Sequence, residues 1–248
     1  MINVLRDSYS VWWADLRILR RLWQRFLITS LMSPFLYLLA FGYGLGRGMK
    51  VEGVSYLEFV IPGIIALTAM NTSFNSAGVK LNVDRLFYKS FDEILMTPVS
   101  PFSLILGKSL IGVLRGLIVS LIFLIIGVAI SPMEVGLLSV LTLLFTCFTF
   151  SFMGVLAALL ARSHQGMATF SSLVLLPMTF LGGTFFSVSH LPQALKVVLH
   201  IIPLTHSSQC LRAGALGQPF PWFSLVAILG FGLAFFLVCM LVLKRSSV

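Results

Sequence analysis

The chain has 248 residues, of which 58% are hydrophobic and only 10% are charged, and its mean hydropathy is +1.02. A water-soluble protein of this size could not bury that much apolar surface, so the composition excludes a soluble globular domain and predicts an integral membrane protein. The net charge of +9 does not indicate nucleic acid binding, because the basic residues form no long run with interleaved aromatic residues. We therefore expect membrane lipids, but no nucleic acid, among the partners.

The chain opens with an amphipathic segment ahead of the first long apolar stretch. Its large apolar residues recur three or four positions apart, at Trp12, Leu16, Leu19 and Trp23. This spacing predicts a helix within residues 1–26 that lies along the cytoplasmic membrane surface with tryptophan at headgroup level. A soluble helix packed on another domain is the alternative.

Six apolar stretches are long enough to cross a bilayer, which takes roughly 20 mostly apolar residues. They cover residues 27–46, 59–79, 104–130, 135–161, 167–186 and 223–243. The second stretch has a polar carboxyl-terminal half, which we expect to face protein or a wet cavity. Basic residues are concentrated on the side of the amino terminus, so the positive-inside rule predicts that both termini are cytoplasmic. The expected fold is a single all-α, multi-pass membrane domain over residues 1–248.

Two connections between the predicted spans carry further information. Residues 81–103 mix charged and apolar positions, which predicts a short helix on the cytoplasmic membrane surface that ends at Pro98 and Pro101. A segment of this kind can dock into a groove on a cytoplasmic partner. Residues 187–222 contain two apolar pieces separated by Pro203. Each piece is too short to cross a membrane, so we expect interfacial or re-entrant helices on the outer side.

The chain offers no convincing catalytic or nucleotide-binding motif. Gly107, Lys108 and Ser109 match the end of a phosphate-binding loop, but Phe102 occupies the position of the first glycine and an apolar run follows. The histidines and cysteines lack metal-ligand spacing, and no spacing supports a serine or cysteine nucleophile. We expect no catalytic residue, no metal site and no cofactor bound by this chain.

Two longer motifs resemble a known family. One is DEILMTPVSPFSLILGKSL, which leads into the third span, and the other is FLGGTFFSVSHLPQALKVVLHIIPLTHSSQCLRA, late in the chain. With six spans and a polar second span, they resemble the type-2 permeases of ABC transporters, which include lipo-oligosaccharide, polysaccharide and drug exporters. The outer re-entrant motif of this family is matched by Phe185, Phe186, Pro192, Pro203 and Arg212.

The resemblance implies a permease subunit of a prokaryotic cytoplasmic (inner) membrane. It would pair with a second permease copy, which we expect to be identical, and with two copies of a separate ABC ATPase that binds ATP and Mg²⁺. The connection between the second and third spans would be the coupling helix. The residues that it would bring to the ATPase are Asp92, Glu93, Leu95, Met96 and Pro98. An ordinary amphipathic loop that seals the base of the bundle is the alternative.

The candidates for the translocation path are Asn71, Phe74, Asn75 and Arg115. The polar residues of the second span could instead bond to neighbouring helices. Arg115, inside the third span, either contacts an anionic substrate or reaches back to lipid phosphates. Its neighbours Gly112 and Gly116 have the small-xxx-small spacing that permits close helix packing.

The function predicted from these features is ATP-driven export of an amphipathic or lipid-linked substrate such as a glycan, a lipid or a drug. One alternative is an ATP-independent secondary transporter or channel, and another is a membrane scaffold without transport activity. A carrier coupled to protons or sodium would be expected to have carboxylates within the membrane, and the predicted spans contain none.

Overall fold

The computed structural model describes residues 2–46, 48–97, 99–131, 133–188 and 192–246. The described part of the chain is almost entirely helical. Its helices are α1 Ile2–Tyr37, α2 Tyr56–Phe74, α3 Lys80–Leu86, α4 Ser90–Leu95, α5 Pro101–Ile130, α6 Leu137–Leu160, α7 His164–Phe170, α8 Leu176–Leu181, α9 Gln193–His200, α10 Pro203–Ala215 and α11 Trp222–Ser246. Three π-helical segments, Leu38–Leu45, Asn75–Val79 and Ser171–Leu175, continue α1, α2 and α7 without a break.

A small hairpin joins the end of the first span to α2. Strand β1, Lys50–Val51, pairs antiparallel with β2, Val54–Ser55. Glu52 and Gly53 form the two-residue turn, and both have positive φ, as a tight turn of this length requires. The hairpin therefore marks the end of the bundle at which α2 begins.

Five helical segments are long and apolar enough to cross a membrane: Leu19–Gly44, Tyr56–Leu86, Pro101–Ile130, Leu137–Leu160 and Trp222–Arg245. They match five of the six predicted spans and confirm an all-α membrane fold. The remaining prediction, 167–186, is wrong at its end, because the helix stops at Leu181 and Gly183 turns the chain with a φ of +67°. The six-span topology remains a prediction.

The central element of the bundle is α2. In the most apolar part of Tyr56–Leu86, the segment that includes α2, 83% of the residues are buried within the protein. The corresponding share is 17% for the first span and 22% for the last. The predicted close packing at Gly112 and Gly116 is confirmed, since a Cβ at Gly116 would lie 1.9 Å from Ser73 Oγ and one at Gly112 2.7 Å from the Ser73 carbonyl. These glycines let α5 approach α2 closely.

The amino-terminal helix differs from the prediction in one respect. It does not end before the first span, because α1 runs to Tyr37 with one non-helical residue, Leu22 (φ −118°, ψ 17°). Its buried stripe includes Val11 and Asp15, whereas Trp23 is half exposed. We call the part of α1 before this kink, residues 2–21, the amino-terminal arm. The arm packs against α5, where a Cβ at Gly107 would lie 2.8 Å from Val11 Cβ.

Candidate functional site

A polar groove of about 390 Å³ opens between the first and second spans. None of its lining side chains carries a charge. The groove is lined by Thr29, Ser30, Ser33, Pro34 and Tyr37 from α1, and by Leu67, Thr68, Asn71, Thr72, Asn75 and Ser76 from α2 and its π-helical continuation. On each helix the polar positions recur every three or four residues, so they form two facing stripes.

Several polar side chains of this groove are bonded to their own helix. Thr29 Oγ1 donates to the Arg25 carbonyl at 2.9 Å, Thr68 Oγ1 donates to Ile64 at 2.7 Å, and Asn75 Nδ2 donates to Asn71 at 2.8 Å. Such local bonds satisfy the donor protons where water is scarce. The hydroxyl and amide oxygens keep lone pairs that can accept hydrogen bonds from a substrate.

The four predicted path residues lie in different environments. Asn71 and Asn75 line the groove. Phe74 is fully buried and stacks on Phe170 with ring centroids 5.8 Å apart, so its ring faces the core. Arg115 faces α1, and its guanidinium lies 4.9 Å from the centroid of the Phe26 ring. Only the two asparagines are brought together at one site.

The segment predicted to couple to an ATPase contains a short helix, α4. Asp92, Glu93 and Leu95 belong to this helix, Met96 follows it, and Pro98 lies outside the described residues. The helix is anchored by Phe91, which is 4% exposed and packs in a hydrophobic cluster with Leu81, Leu104 and Leu243 among others.

The other side of this segment projects large apolar groups away from the protein. Met96 is 88% exposed, Phe87 is 71% exposed and Tyr88 is 66% exposed. Lys89, with a φ of +55°, lies in the turn between α3 and α4. We call Phe87, Tyr88 and Met96 the docking surface.

Four charged residues meet beside this segment, and we call them the charge cluster. Lys108 Nζ lies 2.8 Å from Asp84 Oδ2 and 3.6 Å from Asp15 Oδ2. Lys80 Nζ lies 3.2 Å from Asp84 Oδ2 and also contacts Asp15. All four side chains are at most 19% exposed. The cluster joins α1, α3 and α5.

The charge cluster was not found from the sequence. Lys80 and Asp84 have the i,i+4 spacing of a helical ion pair, and this local signal could have been used. Lys108, which belongs to the incomplete match to a phosphate-binding loop, donates to the Asp84 carboxylate at 2.8 Å. Asp84 lies beyond the predicted second span, 59–79, in the same continuous helical segment Tyr56–Leu86.

The opposite end of the bundle is closed by the residues of the outer motif. Arg212 on α10 is 6% exposed, donates from Nε to the Phe59 carbonyl at 3.2 Å and from Nη2 to the Gly183 carbonyl at 2.9 Å. Its guanidinium lies 3.7 Å from the centroid of the Phe59 ring. Burial lowers the pKa of Arg212 to about 10, so the side chain stays charged at neutral pH.

The remaining residues of this motif shape the same end. Pro192 and Pro203 stand at the starts of α9 and α10, two helices too short to cross a membrane. Phe185 is buried and stacks on Phe41 at 4.2 Å, and Phe186 follows it in the bend after α8. The predicted pair of short helices is therefore present, and its location on the outer side remains a prediction.

His206 connects the elements of this end. It is 1% exposed, and its ring nitrogens lie 2.9 Å from the His200 carbonyl and 3.2 Å from Ser224 Oγ. Burial lowers the pKa of His206, which favours the neutral ring. The neutral tautomer that carries its proton on Nε2 can donate to the His200 carbonyl, and the Ser224 hydroxyl beside Nδ1 donates to Gln209 Oε1 at 3.0 Å.

The comparison with protein families decides what kind of protein has this architecture. Residues 7–216, from the amino-terminal arm to the end of α10, match the family model of the ABC-2 type transporter. The chain belongs to the ABC-2 type transporter family. It is therefore the membrane permease subunit of an ABC transporter, and permeases of this family normally work with an ABC ATPase subunit.

Relatives of this ABC-2 permease match most of its length. The inner membrane transport permease YadH of Escherichia coli (strain K12) is 28% identical over 242 residues, which cover 96% of this chain and 94% of YadH. Nodulation protein J of Rhizobium meliloti (strain 1021) is 27% identical over 226 residues, which cover 88% and 82% of the two chains. Nodulation protein J of Rhizobium leguminosarum bv. viciae is 28% identical over 202 residues, or 78% and 76%.

Proposed function

We propose that this permease exports an amphipathic or lipid-linked substrate, such as a glycan, a lipid or a drug, with energy from ATP hydrolysis by a separate ATPase. The observation that carries the proposal is the uncharged polar groove between α1 and α2. Hydroxyl and amide groups can exchange hydrogen bonds with a polar substrate without the desolvation cost of a buried charge.

An apolar cavity on another side of α1 supports the amphipathic character of the substrate. It has a volume of about 250 Å³ and is lined by Ile28, Leu31, Met32, Phe35, Phe123 and Ile126. A single helix thus separates a polar groove from an apolar one. A substrate with a polar head and an acyl or other apolar part would find a matching surface on each side of α1.

The polar groove also supports a permease dimer. Asn75 is exposed and Asn71 is half buried, and amide groups facing lipid would be costly to leave without partners. A second copy that covers the groove with its own would remove these groups from lipid, and such a pairing has the two-fold symmetry of most homodimers. The path would then lie between the two copies.

The docking surface supports contact with the ATPase. Three large apolar side chains are exposed on either side of α4 in the chain, and α4 itself is anchored by Phe91. This arrangement suits insertion into a groove of a partner protein. ATP and Mg²⁺ would bind to that partner, and movement of the partner would be received by α4.

The proposal is tested by recovering the permease from its native membrane with its associated proteins. We expect an ABC ATPase to copurify, and we expect Met96→Asp to reduce its recovery at least about tenfold, because a charge in an apolar contact loses the burial and adds desolvation. Met49→Asp is the matched control, since Met49 is 58% exposed at the hairpin end of the bundle. Recovery of the wild-type chain without an ATPase, or equal recovery with both variants, would reject the coupling role.

A further inference from the structure

The charge cluster connects the segment that carries α4 to the helix that lines the polar groove. We infer that it passes movement of α3 and α4 to α1 and α5, with Asp15 as the positioning residue for α1. The inference rests on the proposed function, because it takes α4 as the element that the ATPase moves.

The four charges form a closed ring in which the signs alternate. Lys80 and Lys108 each contact both Asp15 and Asp84, so every charge has two neighbours of opposite sign and the ring is neutral. α3 contributes Lys80 and Asp84, whereas α5 contributes only Lys108 and α1 only Asp15. The ionic contact of α1 with the other two helices therefore depends on one carboxylate.

The ring is connected to α4 over a short distance. Ser90, the first residue of α4, donates from Oγ to the Asp84 carbonyl at 3.4 Å. Phe91 of α4 and Leu81 of α3 are buried in the same hydrophobic cluster. Arg85, also on α3, donates from Nη1 to the carbonyl of Leu159 and to other carbonyls at the end of α6. A shift of α4 is therefore transmitted to α3, and from α3 the ring leads to α1 and α5.

The ring is connected to the groove through α1. Asp15 lies in the amino-terminal arm, and Thr29 and Ser33 of the same helix line the groove. The distance from Asp15 to Thr29 along a helix is about 21 Å at 1.5 Å per residue. The non-helical residue Leu22 lies between them. A displacement of the arm would thus change the angle of α1 at Leu22 and move one wall of the groove.

Net stability does not explain why the ring is present. Burying paired charges gives little stability compared with apolar residues of similar size, because desolvation offsets the attraction. What a ring of alternating charges provides is a defined arrangement of three elements, since each side chain has only two acceptable neighbours. This property suits residues that keep helices in register while they move together.

The experiment uses the complex of the permease with its copurified ATPase and measures hydrogen exchange with and without ATP and vanadate. For the wild-type complex we expect a nucleotide-dependent change in three regions, namely α4, the amino-terminal arm and the first turns of α5. The response of α4 reports docking, whereas the responses of the arm and α5 report transmission.

Two double variants separate transmission from charge balance, because each removes one positive and one negative charge. Asp15→Leu with Lys80→Met keeps the Asp84–Lys108 pair, so we expect α5 to respond and the arm to lose its response. Lys80→Met with Asp84→Leu keeps only Asp15–Lys108, so the arm and α5 should both lose their responses while α4 still responds. Asp15→Glu, which keeps the carboxylate, should respond like the wild type.

The outcomes distinguish this inference from the proposed function. If α4 does not respond in the wild-type complex, the coupling role of α4 itself fails. If α4 responds and the arm does not, or if the two double variants behave alike, the ring does not transmit movement and the inference is overturned.

Thermal unfolding of each variant complex, compared with the wild type, identifies a variant that is simply unfolded. In that case the single variant Asp15→Asn decides, because it keeps the size of the side chain and leaves the Asp84 contacts of Lys80 and Lys108 in place. The arm should lose its response while α5 keeps it, and an arm that still responds overturns the inference.

Discussion

The two ends of the bundle bury positive charge in different ways. At the α4 end, Lys80 and Lys108 are neutralised by carboxylates that come from two helices. At the hairpin end, Arg212 is held by two backbone carbonyls and an aromatic ring. Carbonyls belong to a rigid backbone, whereas carboxylates sit on side chains that can follow a moving element. The difference is consistent with the inference that the elements at the α4 end move as a connected unit.

The largest effect expected from this comparison is in the charge cluster. Lys108→Met leaves Asp15 and Asp84 with one lysine between them, so we expect a loss of about 3 kcal/mol in the free energy of unfolding, as for other broken buried pairs. Lys80 is more exposed than Lys108, 19% against 8%, so Lys80→Met should cost less. Thermal unfolding of the detergent-solubilised protein measures both. Equal midpoints for the two variants would show that the difference in burial between the two lysines does not set the loss.

The next effect concerns Arg212. Arg212→Met removes two hydrogen bonds and leaves the Gly183 carbonyl without its guanidinium donor, so we expect a loss of about 2 kcal/mol. Arg212→Lys keeps the charge but not the fork of donors or the flat contact with Phe59, so it should fall between Met and the wild type. The same unfolding assay applies. A lysine variant as stable as the wild type would show that charge alone matters here.

The smallest effect is the response of the hairpin end to acid. The pKa of His206 lies below its ordinary value of 6.5 in the folded protein because of burial, so the unfolded chain binds the proton more tightly. The stability that comes from the neutral ring is present above about pH 6.5 and is lost as the pH falls below it. We expect the unfolding midpoint to drop between pH 7.5 and 5.5, as set by the ordinary histidine range, and His206→Gln to reduce that drop. An unchanged pH profile in His206→Gln would assign the drop to other groups.

The sequence predicted the fold better than it predicted the sites. Helices such as α5 and α6 were placed within a few residues, because a run of apolar residues long enough to cross lipid is a local signal. The end of the predicted span at 167–186 failed, since the positive φ of Gly183 depends on contacts with α10 rather than on hydropathy.

The site residues show the same division. Asn71 and Asn75 could be singled out because polar residues in a span need partners, but the hydroxyl groups of α1 that face them were missed. Thr29, Ser30 and Ser33 are ordinary residues within a helix, and their importance comes from the helix opposite. Arg115 was recognised as unusual, yet its position over Phe26 could not be derived from the sequence.

By itself, the sequence determined that this protein is a helical membrane protein with a short helix in the connection that follows its second span. These properties follow from apolar length, helical period and proline position, which act over a few neighbouring residues. The tertiary structure alone decided which polar groups meet. Asp15 and Lys80 are 65 residues apart in the chain, and their contact exists only because packing of α1, α2 and α5 brings both charges to one buried place.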